Sequence, residues 1–485
     1  MKILREILNR VNIINSVGDT SIQIRDIKFN SSNINENDIF IAIAGNQVDG
    51  HDYIDSAISS GAKCIVHDKN LENTKDGVTY IFVKCSREAI SIIASNFYGN
   101  PSSKLNLIGV TGTNGKTTVS TLLYELFKKI GIRSGLISTV KIVIDQKEFE
   151  SNHTTPDPIT MNMYLNEMVK SKIDYCFMEV SSHGIHQKRI NGLKFTGGIF
   201  TNLTHDHLDY HKSFEDYRDT KKSFFDNLTK DAFALTNIDD RNGNYMTQNT
   251  TALKYTYSLN SISDYKLKIL DKTLDGMLLK IGDNELWTKL PGKFNAYNIL
   301  STYCVGSILG IPTQKLLEKI SELDSVPGRF QFYKKNNITA IVDYAHTPDA
   351  LENILKSINE INKGVNKIIT VVGCGGNRDE SKRPMMGEIA SSLSSKVIFT
   401  SDNPRNENPD SIIEQMKRGV KSDDKKKTVS ILDRKEAIKV ACGLAISNDI
   451  ILIAGKGHES FQEINGVKRK FDDFDVVKEI LNNKK

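Results

Sequence analysis

Short apolar runs alternate with helical patterns along the whole chain, and this rhythm is typical of α/β proteins. The runs that predict buried strands are residues 39–44, 63–66, 79–83, 175–180, 198–202, 339–343, 367–372, 396–400 and 449–454. A further apolar strand, starting at Leu105, runs directly into a glycine-rich turn. The alternation predicts doubly wound sheets that bind their ligands at the carboxyl ends of the strands.

The length of the chain and two breaks in the pattern predict three domains. A chain of 485 residues is too long for one compact core and indicates about three domains, although two or four would also fit. Asn100-Pro101 disfavours helix before the strand at Leu105, and Val326-Pro-Gly-Arg-Phe330 precedes another strand and is typical of a domain hinge. We therefore expect a small α/β domain at residues 1–100, a central P-loop-type doubly wound domain at 101–327, and a Rossmann-like domain at 328–485.

The composition is that of a soluble globular protein, with 39% hydrophobic and 25% charged residues. The net charge of +5 is small for this length and the lysines are dispersed, so nucleic acid is not an expected partner. The first ten residues lack a signal-type apolar core and a membrane span, and the six cysteines form no CxxC pair. We expect a cytoplasmic protein with reduced thiols and no membrane partner.

The turn after the Leu105 strand has the features of a nucleotide phosphate loop. In the segment 112–118, glycines let backbone N–H groups close around phosphate oxygens, Lys116 adds a charge, and Thr117 offers a hydroxyl to Mg²⁺. Apolar residues at helical spacing follow over 119–130. Val110 stands where the usual phosphate loop has its first glycine. ATP binding is the favoured interpretation, and a glycine turn that caps a helix is the alternative.

Three further features of the middle region carry candidate chemistry. Glu179 ends a strand and could supply an oxygen ligand to Mg²⁺, although a half-exposed glutamate is the alternative. The segment 202–211 is dense in histidine and carboxylate, but Tyr210 interrupts the signature of binuclear metallohydrolases, so a zinc hydrolase is the weaker interpretation. Lys221 and Lys222 lie on a predicted helix, where lysines are ordinarily at the surface.

The strands of the last domain also run into polar clusters. These clusters are residues 343–348, 373–378, 401–405 and 455–459. Ligands of α/β proteins bind at such strand ends. The glycines at 373–376 do not form a dinucleotide-binding fingerprint, so we infer no nicotinamide cofactor.

Five motifs together resemble those of the Mur ligases. They are Thr111-Gly-Thr-Asn-Gly-Lys-Thr-Thr118, Met178-Glu-Val-Ser-Ser-His-Gly184, Val342-Asp-Tyr-Ala-His-Thr-Pro348, Gly373-Cys-Gly-Gly-Asn-Arg378 and Asp402-Asn-Pro-Arg405. The resemblance covers essentially the whole chain. It implies an ATP-dependent amide ligase of peptidoglycan precursor synthesis, and thus of cell-wall formation, cell shape and cell division. The acceptor would be the D-Glu γ-carboxylate of UDP-N-acetylmuramoyl-L-alanyl-D-glutamate, activated as an acyl phosphate, and the added residue meso-2,6-diaminopimelate.

The same resemblance implies the site residues. The ATP site would comprise Gly112, Thr113, Asn114, Gly115, Lys116, Thr117, Thr118, Asn295, Arg329 and Asp343. The UDP-sugar peptide would contact Ser31, Asn46, Gln47, Val48, His153, Thr154, Thr155, Ser181, Gln187 and Arg189. Diaminopimelate would contact Arg378, Asp402, Asn403, Pro404, Arg405, Gly455 and Glu459. The catalytic group would be Lys116, Glu179, His207 and Lys221, and Mg²⁺ would be held by Thr117, Glu179, His207 and a carbamylated Lys221.

Two of these positions bear on how the substrates would be recognised. Asn46 replaces the histidine that is more familiar in the family, although asparagine can still form hydrogen bonds. Arg405 belongs to the motif that selects diaminopimelate, because a guanidinium can take the distal carboxylate with two parallel hydrogen bonds. The alternatives are the same ligation with L-lysine and, more distantly, a folylpolyglutamate synthetase-like ligase. Two alternatives from other classes are a metallohydrolase, which would turn over with a metal and without ATP, and a non-catalytic protein that binds ATP and releases no phosphate. We expect a monomer whose partners are its small-molecule substrates.

Overall fold

The protein is represented by a computed structural model that describes residues 1–45, 48–151, 153–206 and 210–484. Three large sheets, of five, eleven and six strands, follow one another along the chain. The prediction of an α/β fold is confirmed. None of the described helices combines the length and apolar character needed to cross a bilayer.

The first sheet is formed by the N-terminal part of the chain. Its region contains strands β1 to β7, which are Lys2–Ile3, Ile13–Val17, Gln23–Ile24, Ile27–Lys28, Ile39–Ile41, Cys64–His67 and Thr79–Val83. Helices α1 to α3 are Leu4–Ile7, Ile54–Ser59 and Ser86–Phe97, with short 3₁₀ helices at Ser31–Asn33, Gly50–Tyr53 and Pro101–Ser103. The strand order is β2-β7-β6-β5-β4, and β2 is the antiparallel edge.

The central sheet is built around the strand that leads into the phosphate loop. Strands β8 to β18 are Asn106–Thr111, Ser134–Ile137, Lys141–Ile144, Lys147–Glu150, Tyr175–Glu179, Gly197–Phe200, Phe233–Asn237, Leu253–Ser258, Tyr265–Thr273, Gly276–Ile281 and Asn284–Thr288. Helices α4 to α10 are Lys116–Ile130, Pro158–Lys170, Ser182–His186, Phe214–Asp226, Gly243–Met246, Lys293–Ile308 and Thr313–Ser321. In the order β11-β10-β9-β12-β8-β13-β14-β15-β16-β17-β18, β8 pairs in parallel with β12 and β13.

The third sheet is formed by the C-terminal part of the chain. Strands β19 to β26 are Gln331–Lys335, Ile338–Asp343, Ile368–Val372, Lys396–Phe399, Thr428–Ser430, Ile450–Ala454, Phe461–Ile464 and Val467–Lys470. Helices α11 to α15 are Pro348–Asn362, Lys382–Leu393, Pro409–Arg418, Arg434–Leu444 and Asp473–Asn483, with a 3₁₀ helix at Ser422–Lys427. The order β19-β20-β24-β21-β22-β23 places the ends of β20, β21, β22 and β24 side by side.

Apolar cores on both faces of the central and C-terminal sheets explain why their strands are continuous apolar runs. Strand β21 is buried at every position, as are β12 after its first residue and β24 throughout. Because such strands are covered by helices on both sides, their polar functional groups can only follow at their ends. The site therefore forms where β8, β12 and β13 of the central sheet end and where the polar clusters of the last sheet begin.

Candidate active site

The phosphate loop joins β8 to the N-terminus of α4. Gly112 has a φ of 149° and Gly115 a φ of 86°, in the region that favours glycine. A Cβ at Gly112 would lie 2.0 Å from Thr201 Oγ1, so a larger residue does not fit. The backbone can therefore turn closely beneath a helix N-terminus, where N–H groups and the helix dipole favour an anion.

Two lysines converge on one carbonyl of this loop. Lys116 Nζ donates to Gly112 O at 3.0 Å and to Thr113 O at 2.7 Å. Lys221 Nζ donates to the same Gly112 O at 2.9 Å. Burial lowers the pKa of Lys116, and burial together with the neighbouring Lys116 charge lowers the pKa of Lys221 well below its usual value. The loop is thus held by two buried amines, of which Lys221 has the stronger tendency to be neutral.

The expectation from residue type alone that Lys221 and Lys222 lie at the surface is wrong. Lys221 is 1% and Lys222 6% exposed. Lys221 lies one helical turn after the buried Tyr217, and its Nζ is 4.7 Å from the centre of that ring. Lys222 pairs with Asp226 at 2.7 Å. Lys221 therefore lies buried beside the phosphate loop.

Glu179 lies at the end of β12 and is completely buried. Its Oε1 accepts from Thr139 N at 2.7 Å, whereas Oε2 is buried without a hydrogen-bond partner among the described residues. A buried carboxylate oxygen left in this state is costly unless a cation or donor meets it. Together with the Thr117 hydroxyl, it offers hard oxygen atoms that suit Mg²⁺. Within the described residues, no group of three or more His, Cys, Asp or Glu side chains is arranged to hold a metal.

A second cluster surrounds the end of β12. Arg189 Nη1 donates to Thr155 O at 2.6 Å, and its Nε and Nη2 both donate to Gln187 Oε1, at 3.0 and 2.7 Å. Ser181 Oγ caps α6 by accepting from Gly184 N at 3.1 Å. Thr154 and the exposed His153 line the same cleft as Arg189. These groups form a polar, cationic wall beside the phosphate loop.

The N-terminal candidates lie apart from this wall. Ser31 is in a 3₁₀ turn, and Val48 is 56% exposed. Asn46, Gln47 and the central-domain candidate His207 fall outside the described residues. Of the predicted residues that the structure describes, those that line neither cavity are Ser31, Val48, Gly112, Gln187 and Pro404.

The segment between the central and C-terminal sheets reaches into the nucleotide site. Arg329 Nη2 donates to Thr117 Oγ1 at 3.1 Å, and its guanidinium carbon lies 4.5 Å from the centre of the Tyr344 ring. Asp343 Oδ2 accepts from Phe330 N at 2.7 Å, and burial raises the pKa of Asp343 to about 6. Asn295 is 3% exposed and is held through its bond to Pro291 O.

Sequence reasoning missed one residue at this junction. Asp349 Oδ2 accepts from Asn114 Nδ2 at 2.7 Å and from Thr204 Oγ1 at 3.2 Å. Burial raises the pKa of Asp349. Its partner in the phosphate loop is 235 positions away in the sequence. The available signal was its position directly after the polar cluster 343–348.

The candidate amino-acid pocket is formed by the ends of β21, β22 and β24. Arg405 has a φ of 52° and donates from Nη1 to Gly376 O at 2.7 Å. Gly455 has a φ of 116°, and a Cβ there would lie 2.5 Å from Asp402 Oδ2. Burial and the nearby Asp402 carboxylate raise the pKa of Glu459. Arg378 is exposed and lines both cavities described below.

Two cavities that share lining residues bring most of the described candidate residues together. The larger, of about 880 Å³, is lined by Lys116, Glu179, Arg189, Lys221, Asn295, Arg329 and Asp343, and also by Arg378, Arg405 and Glu459. The smaller, of about 580 Å³, is lined by Asp402, Asn403 and Gly455 and shares Arg378, Arg405 and Glu459 with the first. A phosphate cradle and an amino-acid pocket thus open into one cleft. The arrangement can bring a phosphorylated carboxyl group and an amine together.

Comparison with protein families gives three matches along the chain. Residues 23–98 match the catalytic domain of the Mur ligase family, residues 110–306 the Mur ligase middle domain, and residues 328–457 the Mur ligase glutamate ligase domain. The matched segments together cover most of the chain.

Similar proteins span its full length. UDP-N-acetylmuramoyl-L-alanyl-D-glutamate--2,6-diaminopimelate ligases of Cytophaga hutchinsonii and Phocaeicola vulgatus are 51% and 52% identical, each with 99% of both chains covered. A solved structure of an enzyme with that name is 31% identical, with a TM-score of 0.70 over 99% of this chain and 98% of the other.

Proposed function

Because this chain belongs to the Mur ligase family, we propose that it is an ATP-dependent ligase adding meso-2,6-diaminopimelate to UDP-N-acetylmuramoyl-L-alanyl-D-glutamate. The observation that carries the proposal is the shared cleft. Phosphate-loop residues and the arginines of the amino-acid pocket line the same cavity of about 880 Å³. The names of the full-length relatives support the choice of substrates.

The first step belongs to the central sheet. Lys116 and the loop backbone hold the ATP phosphates, while Arg189, Thr155 and their neighbours orient the D-Glu carboxylate. A carboxylate oxygen bonds to the γ-phosphorus as the bond from that phosphorus to the β–γ bridging oxygen breaks, and ADP leaves. The cations around the loop stabilise charge on the transferred group. The product is an acyl phosphate.

Mg²⁺ fits this site through hard oxygen donors. Thr117, Glu179 and a carbamylated Lys221 would hold it, with His207 as a further proposed ligand outside the described residues. When bound, the ion neutralises phosphate charge. Glu179 supports this assignment because its buried Oε2 has no described partner.

Carbamylation of Lys221 follows from the chemistry of a buried amine. The neutral amine is the form that attacks CO₂, and burial of Lys221 lowers its pKa well below the usual value. A new N–C bond forms, one proton leaves, and the side chain becomes an anion. The change places an anion next to the Lys116 cation beside the phosphate loop.

The second step belongs to the C-terminal sheet. Arg405 and Arg378 take the distal carboxylate of diaminopimelate, and Asp402 and Glu459 take its distal ammonium. The reacting amine, deprotonated, attacks the acyl carbonyl. The tetrahedral intermediate collapses to the amide and inorganic phosphate. Closure about residues 326–330 would bring the two sheets together and exclude water.

The proposed division of labour follows the three domains. Residues 1–100 bind the UDP-sugar, including contacts from Ser31, Asn46, Gln47 and Val48, residues 101–327 bind ATP, and residues 328–485 bind the added amino acid. The enzyme acts as a cytoplasmic monomer on small molecules, without nucleic acid or membrane partners.

Phosphate release from ATP tests the function directly. The reaction contains UDP-N-acetylmuramoyl-L-alanyl-D-glutamate and either meso-diaminopimelate, L-lysine or no amine. Release that depends on diaminopimelate supports the proposal. Release with L-lysine but not with diaminopimelate would make L-lysine the added residue and leave the proposed reaction unchanged. No release with either amine would refute the proposed acceptor.

A further inference from the structure

Lys456 is a completely buried lysine next to the proposed diaminopimelate pocket. Its Nζ donates to Asn403 Oδ1 at 3.0 Å and to Glu459 Oε2 at 2.9 Å. Asn403 Nδ2 donates to the same Glu459 Oε2 at 2.7 Å. The three side chains therefore form a closed triangle of hydrogen bonds. Glu459 lines both cavities, whereas Lys456 lines neither of them.

Asn403 is committed to the protein by both of its polar atoms. Its Oδ1 accepts from Glu463 N at 2.9 Å in addition to Lys456, and its Nδ2 donates to Glu459. Asn403 is also only 3% exposed. Its effect on a ligand therefore passes mainly through Glu459, which lies at the cavity surface.

The backbone fixes the position of Lys456 from both sides. It lies between Gly455 and Gly457, whose φ angles are 116° and 54°. A Cβ at Gly457 would lie 2.7 Å from Gly328 O. On the other side, Ala454 O accepts from the buried Arg434 at 3.0 Å. Because the turn is tightly packed at both glycines, the lysine between them has little freedom to point elsewhere.

Burying an ammonium group costs free energy, and packing alone does not explain a lysine at position 456. Removing such a charge from water costs several kcal/mol unless hydrogen bonds and an opposite charge compensate for it. An apolar side chain would fill the same volume without that cost. The presence of lysine indicates that the charge itself acts on Glu459 and Asn403.

The electrostatic surroundings of Glu459 indicate what that charge does. The titratable and charged groups that interact with Glu459 include Lys456 on its own turn, Asp402 after β22, Arg434 on α14 and Tyr344 after β20. Burial raises the pKa of Glu459, Asp402 raises it further, and Lys456 opposes both. Only the ionised form of Glu459 can pair with a substrate ammonium.

We propose that Lys456 is a positioning residue for amino-acid selection, which commits Glu459 Oε2 to the protein and keeps the carboxylate charged so that Oε1 receives the substrate ammonium. This inference rests on the proposed function. The pocket then recognises both charges of the distal amino-acid centre of diaminopimelate, because Arg405 binds its carboxylate and Glu459 binds its ammonium. L-lysine has only one of the two.

The test is Lys456→Met, because methionine is also unbranched and flexible but carries no charge and no N–H donor. The KM for meso-diaminopimelate is expected to rise on the order of tenfold to a hundredfold, the effect of losing a buried charge-assisted bond. The KM for ATP stays unchanged. Since Glu459 is protonated more readily without Lys456, the fall of kcat/KM for diaminopimelate at low pH moves to higher pH. The exposed Lys468→Met changes none of these quantities.

A second comparison tests the inference even if Lys456→Met folds poorly. It sets Glu459→Gln against the double variant Lys456→Met/Glu459→Gln, in which both charges of the pair are removed. If Lys456 acts through Glu459, the double variant has the same KM for diaminopimelate as Glu459→Gln. A further rise of about tenfold in the double variant, or an unchanged KM and pH profile in Lys456→Met, overturns the role of Lys456. Failure of the wild-type enzyme to use diaminopimelate overturns the proposed function instead.

Discussion

Asn114 in the phosphate loop donates a 2.7 Å hydrogen bond to Asp349 at the start of α11. The bond joins the central sheet to the C-terminal sheet at the nucleotide site. Asp349 Oδ2 also accepts from Thr204 after β13. One carboxylate oxygen thus connects two loops of the central sheet to the first turn of a helix in the last sheet.

Removing this connection should weaken ATP-dependent turnover. Asp349→Ala deletes an acceptor that two side chains share, and a hydrogen bond to a charged group contributes about 1.5–3 kcal/mol. We expect kcat/KM for ATP to fall at least about tenfold, measured by phosphate release. Asp349→Asn keeps one acceptor oxygen and should lose less.

Glu414→Gln removes a carboxylate from the exposed ion pair with Lys417 and serves as the control. If Asp349→Ala and Glu414→Gln have the same kcat/KM for ATP, the bond between the sheets has no part in nucleotide use.

Gly112, which directly follows β8 in the phosphate loop, and Gly131, the C-cap of α4, allow backbone strain at the site to be compared with backbone strain away from it. Gly112→Ala places a Cβ 2.0 Å from Thr201 Oγ1 at a φ of 149°, so the phosphate loop must shift. We expect loss of measurable ATP binding in calorimetry. Gly131→Ala has a φ of 90° and open space around the Cβ, so it should cost about 1–2 kcal/mol of folding stability and leave the ATP affinity intact. Equal affinities of the two variants would contradict the phosphate-loop assignment.

Much of this fold follows from the sequence, because strands buried on both faces are continuous apolar runs. Residues 79–83 were predicted and form β7, and the predicted run 175–180 forms β12 with one residue fewer. The antiparallel additions at the sheet edges, such as Lys141–Ile144 with Lys147–Glu150, were not predicted. The outermost strand, Lys147–Glu150, is exposed at every position, so it has no continuous apolar run.

Part of the candidate site could likewise be predicted from the sequence, and part could not. The phosphate loop is a local motif, so its residues could be identified by spacing. Lys221 could not, because its helix is rich in charged residues and its burial depends on contacts with Gly112, which is 109 positions away. The acceptor role of Asp349 likewise depends on a distant partner. Residue type and periodicity carry no information on such long-range contacts.

The pKa of Asp343 gives a prediction for pH. Burial raises this pKa to about 6, so the carboxyl group is protonated below that pH in the folded protein. We propose that Asp343 accepts hydrogen bonds from the ribose hydroxyls of ATP, which a protonated carboxyl does less well than the carboxylate. The KM for ATP should therefore rise as the pH falls through about 6. Asp343→Asn should have a raised KM that no longer changes over this range, measured between pH 5 and 8. A wild-type KM that stays constant across pH 6 would contradict the assignment.

The last prediction concerns Lys221 and its neighbour. In buffers depleted of CO₂, activity should fall and return on addition of bicarbonate, because the carbamate of Lys221 forms reversibly. Lys221→Ala should lose activity on the order of a hundredfold and regain part of it with acetate or formate, whose carboxylate can replace the carbamate.

Lys222→Ala is the matched control, since Lys222 is also buried but pairs with Asp226 and not with the phosphate loop. It should lose folding stability and keep its response to bicarbonate. A bicarbonate response that disappears in Lys222→Ala and persists in Lys221→Ala would move the modification to the neighbouring residue. Of the two neighbouring lysines, Lys221 is the one that donates to Gly112 O, and burial lowers the pKa of Lys221 well below its usual value, so we expect the response to depend on Lys221.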